Sequence, residues 1–288
     1  MRIPLISRIL DTWPVRLSGR AARLAAAGTL LAGCGLQQDI DVVLPAYPPQ
    51  LVVEAYLEDG QVPRLTVTES VEYLATPTPQ VPTDVTATLL LPDGQRQTLR
   101  FAPGLDARTG KAYTHLGTQA LTIRAGETFG LDLTDSQGRR VTGTATAPQP
   151  VPIDTVEWKF NDRPEEQREA YLLTRFRDPA ATTDYYRLQI HRDSISREPE
   201  VEYTVEDRLN NGSEFSLGTS YRFDPNDTLL VTLYHLDRAY FQFLQSVEDA
   251  RNANGNPFGQ PAGIRSTVTG GLGVFTVLVY DRRRVIVR

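Results

Sequence analysis

From Leu51 to Thr146 the chain repeats one pattern, a short run with apolar residues at alternate positions closed by a turn signal. Leu51–Glu58 and Arg64–Ser70 alternate in this way around Asp59-Gly60. Val85–Leu91 and Gln97–Phe101 flank Pro92-Asp93-Gly94. Gly126–Leu133 and Arg140–Thr146 flank Asp135–Gly138. Period-two runs of this length are half-buried strands. An Asp-Gly pair tolerates the positive φ that a tight hairpin requires. No helix of usable length interrupts these residues. Many short strands joined by Gly, Pro and Asp turns predict an antiparallel, immunoglobulin-like sandwich.

Pro148, Pro150 and Pro152 end the run and mark an expected domain boundary. Strand patterns resume at Asp154–Phe160, Ala170–Phe176, Tyr185–His191, Val201–Val205 and Thr228–Tyr234. Gly273–Tyr280 reads as a further strand, turning at Asp281-Arg282 into Val285–Val287. One helix is expected over about residues 237–253. Asp237 suits its N-cap, and Tyr240, Phe241, Phe243, Leu244, Val247 and Ala250 recur at helical spacing. Asn254-Gly255 and Pro257 would end it. That aromatic stripe reads as packing against a sheet. The fold expected is therefore all-β and mainly antiparallel. It has two sandwich domains, 51–148 and 153–288, with the helix in the second.

The N-terminus carries a different signal. Arg2, Arg8, Arg16, Arg20 and Arg23 face one acid, Asp11, and precede the apolar run Leu24–Gly33. That run is too short to span a bilayer, which takes about 20 residues. It matches the roughly 7–15 residues of a signal-peptide core. Leu31, Ala32 and Gly33 lead into Cys34, the only cysteine. This order, basic residues, apolar core, small residues, cysteine, is that of a bacterial lipoprotein signal. Residues 1–33 read as a cleaved signal peptide, and 34–50 as a lipidated cysteine and a tether bearing Pro45, Pro48 and Pro49. Lipid on Cys34 would hold the chain at a membrane, at about 0.8 kcal/mol per buried methylene.

The whole chain has 30 basic and 35 acidic residues; without five Arg and one Asp of the leader, 25 face 34, a net charge of −9. That balance disfavours nucleic acid and anionic lipid surfaces. A lipidated Cys34 leaves no thiol for disulfides, nucleophilic catalysis or thiolate metal sites.

Catalytic patterns do not emerge. His115, His191 and His235 lie in no metal spacing, and two fall at strand ends, which suits structural roles. Gly104–Ala112 has five residues between its glycines and lacks the hydroxyl after Lys111, so it reads as a hairpin loop and not a phosphate loop. The pattern Gly-x-Ser-x-Gly is missing. Glu165-Glu166 and the pair Asp224 and Asp227 read as surface turns; carboxylates joined only by folding leave no local trace. No metal and no cofactor is implied. The stretch from Asn256, Pro257 and Phe258 to Gly270, Gly271 and Gly273 has an unusual composition. It suits either a contact surface for a ligand or protein, or a tightly packed bend, and the bend weighs more.

Three groups of residues resemble one family. They are the lipobox cysteine followed by Leu51–Gly60 and Leu65–Thr68, Gly126–Phe129 with Thr144–Pro148, and Asn256–Phe258 leading to Gly270–Phe275. The chain resembles the Bacteroidota lipoproteins of domain-of-unknown-function family 4249 over nearly all of the segment after Cys34. Tyr280–Arg288 stands outside the likeness as a local extension. The resemblance implies an outer-membrane lipoprotein, often found beside TonB-dependent receptors, with no established catalytic residues. Asp39 and Asp41 are similar to the signals that send such proteins to the cell surface. The leading expectation is a non-catalytic binding or accessory protein at the outer membrane, with a TonB-dependent receptor as partner and an unknown ligand. A surface hydrolase or carbohydrate-active enzyme and a structural or adhesive module are the alternatives.

Overall fold

A computed structural model of the chain describes residues 48–71, 78–253 and 263–288. The described residues form fifteen strands and one α-helix. The first half contains β1 (Leu51–Glu58), β2 (Arg64–Glu69), β3 (Thr86–Leu90), β4 (Arg96–Leu105), β5 (Ala112–Leu116), β6 (Thr128–Thr134) and β7 (Arg140–Thr146). The second half contains β8 (Ile153–Phe160), β9 (Ala170–Arg177), β10 (Tyr185–Arg192), β11 (Val201–Glu206), β12 (Glu214–Gly218) and β13 (Thr228–Leu236). Helix α1 (Arg238–Ala253) follows, then the two-residue β14 (Val268–Thr269) and β15 (Leu272–Ile286). The all-β, sandwich-like architecture expected from the alternation is the one found.

Period two explains the packing. Leu51, Val53, Ala55 and Leu57 of β1 all point inward, at 3% exposure or less. Their counterparts Leu65 and Val67 on β2, Leu89 on β3, and Leu131 and Leu133 on β6 close one core. Fully burying each such side chain contributes about 1.5–3 kcal/mol. A second core gathers Leu172 and Phe176 of β9, Tyr186, Leu188 and Ile190 of β10, Phe215 of β12 and Leu229, Val231 and Leu233 of β13. The turns behave as their residues require. Gly60, Gly94 and Gly138 take positive φ, and Asp93 Oδ1 accepts from the Gln95 amide at 2.9 Å.

Twelve strands form one ladder in the order β11-β10-β13-β15-β1-β2-β5-β4-β3-β6-β7-β14. The ladder must curl. Strand β14 lies at its far edge and β15 in its interior, yet only Gly270 and Gly271 separate them in the chain. A second, three-stranded ladder, β12-β9-β8, covers the core of the second half.

The C-terminal segment departs from expectation. Residues 272–286 are one continuous strand and do not turn at Asp281-Arg282. The strand pairs in parallel with β1 through Leu278 and antiparallel with β13 from Val279 onward. Asp281 accepts from the Ile153 amide at 2.9 Å, and the Arg282 guanidinium donates to Thr232 Oγ1 at 2.8 Å. These partners outweigh the local turn preference of an Asp-Arg pair. The same strand bears on the boundary at Pro148–Pro152. The proline segment does separate two cores, but Phe275 and Val277 belong to the first and Val287, just past the strand, to the second. The described residues from 48 onward accordingly belong to a single compact unit. Strands β5, β12 and β14 were not expected from the sequence.

Helix α1 begins where Asp237 predicts. Its Oδ1 accepts from the Tyr240 amide at 2.9 Å, the N-cap bond. Tyr240 and Phe241 are buried and pack with Tyr234, Leu236 and Val274. The aromatic stripe is thus core, as its spacing suggests.

Candidate functional site

Two ladders and one connection assemble an acidic cluster. Tyr185 of β10 pairs with Glu206 of β11, so the residues just outside, Asp184 and Asp207, become neighbours. The Asp207 amide donates to the Asp184 carbonyl at 3.1 Å. Arg177 of β9 pairs with Glu214 of β12, which brings Asp178 to the end of the same connection. The Asp178 amide donates to the Ser213 carbonyl at 3.1 Å. Pro179 follows Asp178 and lacks the N–H that a continuing ladder needs. Residues 207–213, between β11 and β12, therefore tie the two ladders together beside all three aspartates.

Asp178, Asp184 and Asp207 each offer a carboxylate oxygen within 4.8 Å of the others. Their exposures are 3%, 5% and 1%. Two of them are well supplied with donors. Asp178 accepts from the Tyr186 hydroxyl at 2.5 Å and from the Gly212 amide at 2.7 Å. Asp184 accepts from Thr182 Oγ1 at 2.7 Å and faces His235 Nε2 at 2.9 Å. Asp207 differs: neither carboxylate oxygen has a hydrogen-bond partner, and neither is reached by solvent. Burial pushes its carboxyl above the ordinary range, and the Asp178 and Asp184 carboxylates add to the shift. Burial and the bond to Asp178 also raise the Tyr186 phenol, which stays protonated and donates. Phe176 and Phe215 stack at 5.1 Å beside the Tyr186 ring and wall the cluster on its apolar side. His235 stacks on Tyr186 at 5.1 Å.

The chemistry of this arrangement is that of oxygen donors only. Three formal negative charges meet one imidazole, whose Nδ1 lies 2.5 Å from the Gln149 carbonyl. Both ring nitrogens thus face oxygens that can accept. No arginine or lysine forms an ion pair with any of the three aspartates among the described residues.

The residues singled out by sequence fall elsewhere. Leu31, Ala32, Gly33 and Cys34, and Asn256, Pro257 and Phe258, lie outside the described residues. Gly270, Gly271 and Gly273 come together where β15 crosses β7 and β1. A Cβ on Gly270 would overlap the Arg140 carbonyl, and one on Gly271 would lie 2.6 Å from the Leu51 carbonyl oxygen. These glycines permit a close approach of backbones, and Leu272 between them is 41% exposed. Gly104–Ala112 is a hairpin connection, with Gly110 at φ +70° and its amide donating to the Asp106 carbonyl at 2.7 Å. Asp224 and Asp227 form a turn, braced by Arg192 at 2.6 Å from Asp227. The three aspartates were missed because 178, 184 and 207 form no ligand spacing. The only local trace is that each flanks a strand pattern.

Fold and site define a β-sandwich-like protein with a buried triple-aspartate cluster where the strand ends of two ladders meet. The family described as "Domain of unknown function (DUF4249)" matches residues 37–284, and the chain belongs to it. The match runs to residue 284, so residues 280–284 of the segment read as a local extension lie within the family. No curated protein matches the chain. A solved structure described as "Cytokine receptor complex - Crystal form 1A" is 12% identical, covers 65% of this chain and 85% of its own, and has a TM-score of 0.25. At that score the likeness carries no conclusion.

Proposed function

We propose that the protein is a lipid-anchored outer-membrane protein of Bacteroidota, acting as a non-catalytic binding or accessory component beside a TonB-dependent receptor. The observation that carries this reading is the order of parts along the chain. A lipobox, Leu31–Cys34, is followed by a polar, proline-bearing segment, and the first strand opens at Leu51. Residues 35–50 can extend at most about 55 Å, enough to hold a folded body close to a bilayer while it contacts a neighbouring protein. No helix among the described residues is long and apolar enough to cross a membrane. The hydrolase alternative needs a carboxylate pair that substrate can reach. Asp178, Asp184 and Asp207 are too enclosed to serve as one.

The test is Cys34→Ser with cell fractionation and fatty-acid labelling. The substitution is expected to abolish the label and to release the protein from the outer membrane. Retention of both overturns the anchor. Affinity capture of the lipidated protein from solubilised membranes is expected to recover an outer-membrane transporter. Failure to recover one reproducibly overturns the accessory role.

A further inference from the structure

We propose that Asp178, Asp184 and Asp207 bind a calcium ion that joins the 178–184 connection to the 207–213 connection. The inference goes beyond the accessory role and does not depend on it.

Charge and geometry both lead there. Three carboxyl groups gathered within 4.8 Å, with one imidazole and no paired arginine or lysine among the described residues, make an enclosed acidic site that a divalent cation would neutralise. Uncompensated charge in a water-excluded site is costly. Every carboxylate oxygen of Asp178 and Asp184 has a donor, while both oxygens of Asp207 have none and are 1% exposed as part of that residue. A buried carboxylate without donors, turned toward two others, is an unsatisfied ligand. Oxygens within 4.8 Å of one another can share an ion that sits about 2.3–2.6 Å from each, the calcium range.

The donor set selects the ion. With no thiolate and no free imidazole nitrogen, zinc lacks its preferred ligands. Magnesium keeps several of its waters, whereas these carboxylates are nearly closed to solvent. Calcium accepts six to eight oxygen ligands in flexible geometry, which suits a set of carboxylates. His235, Tyr186 and Thr182 act as positioning residues, each holding a carboxylate by its second contact.

The ion would fix both connections and so hold the 207–213 loop, on which Leu209 is 92% exposed. Extracellular calcium modules bind at roughly 10⁻⁴–10⁻³ M.

The experiment uses the full chain in detergent, stripped with chelator, with calcium as the probe. Calorimetry is expected to show one site per chain, and thermal unfolding is expected to move up on adding millimolar calcium. Terbium should bind the same site and luminesce on tyrosine excitation, because Tyr186 touches a ligand. Asp207→Asn should weaken calcium by more than the roughly 10–100-fold typical of a lost outer-shell partner. Its chelator-treated form should unfold no lower than the wild type, since the orphan charge is gone. Equal shifts with magnesium overturn the assignment to calcium. Absence of calcium binding to the wild type, together with a calcium-independent stabilisation by Asp207→Asn, overturns the site and assigns the cluster to a shared proton. Should Asp207→Asn fail to fold, calorimetry and terbium luminescence on the wild type decide alone.

Discussion

Gly273 lies in register with Val53 on the parallel ladder, and its α-carbon faces the Val53 carbonyl so closely that a Cβ there would overlap the oxygen. Its φ of +118° is one that residues with side chains rarely adopt. This contact sits where β15 begins its pairing with β1. Gly273→Ala therefore meets both backbone strain and a clash with main chain that cannot rotate away. The expected loss is about 3 kcal/mol or more. Urea unfolding checks it. A loss below about 1 kcal/mol would show that β15 can shift without disturbing β1.

Strand β15 also predicts how the molecule melts. Because Phe275 and Val277 lie in one core and Val287 in the other, neither half can open without disturbing this strand. Leu133→Ala, deep in the first core, should cost about 2–5 kcal/mol. Trp158 lies in the second half and, after Trp13, is the only tryptophan. Its fluorescence should shift its midpoint with Leu133→Ala and coincide with the circular dichroism transition. Separate transitions would mean that the two halves unfold independently.

The sequence makes legible what is local. Twelve of the expected runs became strands because their inward residues face a core on one side only. Helix α1 was visible because Asp237 and the aromatic stripe agree. The continuity of β15 was not visible, since Asp281-Arg282 reads as a turn until Ile153 and Thr232 supply partners from distant strands. Nor was the aspartate cluster. Asp178, Asp184 and Asp207 meet only through the pairings of β9 with β12 and β10 with β11, and β12 itself, Glu214–Gly218, had too weak a pattern to be seen.

Asp237 does two things with one carboxylate. Its Oδ1 caps α1 at the Tyr240 amide, and its Oδ2 accepts from Thr276 Oγ1 on β15 at 2.9 Å. Thr276 is fully buried, so its hydroxyl would be left without that acceptor. Asp237→Ala should cost about 2 kcal/mol, the upper end for a lost cap. Asp237→Asn keeps an oxygen acceptor for the helix and should cost less. Thermal unfolding of the two variants separates the contributions, and equal losses would show that the cap itself is unimportant.

Two histidines set the response to mild acid. His115 and His191 are 0% and 4% exposed, and burial lowers both below the ordinary histidine value. Around His115 stand Thr114 Oγ1 at 2.9 Å, the Val85 carbonyl and the Phe101 ring. Around His191 the Arg282 and Arg187 charges lower it further, against a smaller opposing effect of Glu202. The unfolded chain takes up these protons at about pH 6.5, while the folded chain does so only at lower pH. Between those points the unfolded state holds more protons, so stability rises with pH. It is complete above about pH 6.5 and declines as pH falls through the folded values. The urea midpoint should therefore fall between about pH 7.5 and pH 5.5, which bracket the ordinary histidine value. His191→Gln should flatten that fall. A pH dependence untouched by His191→Gln would place the acid sensitivity elsewhere in the fold.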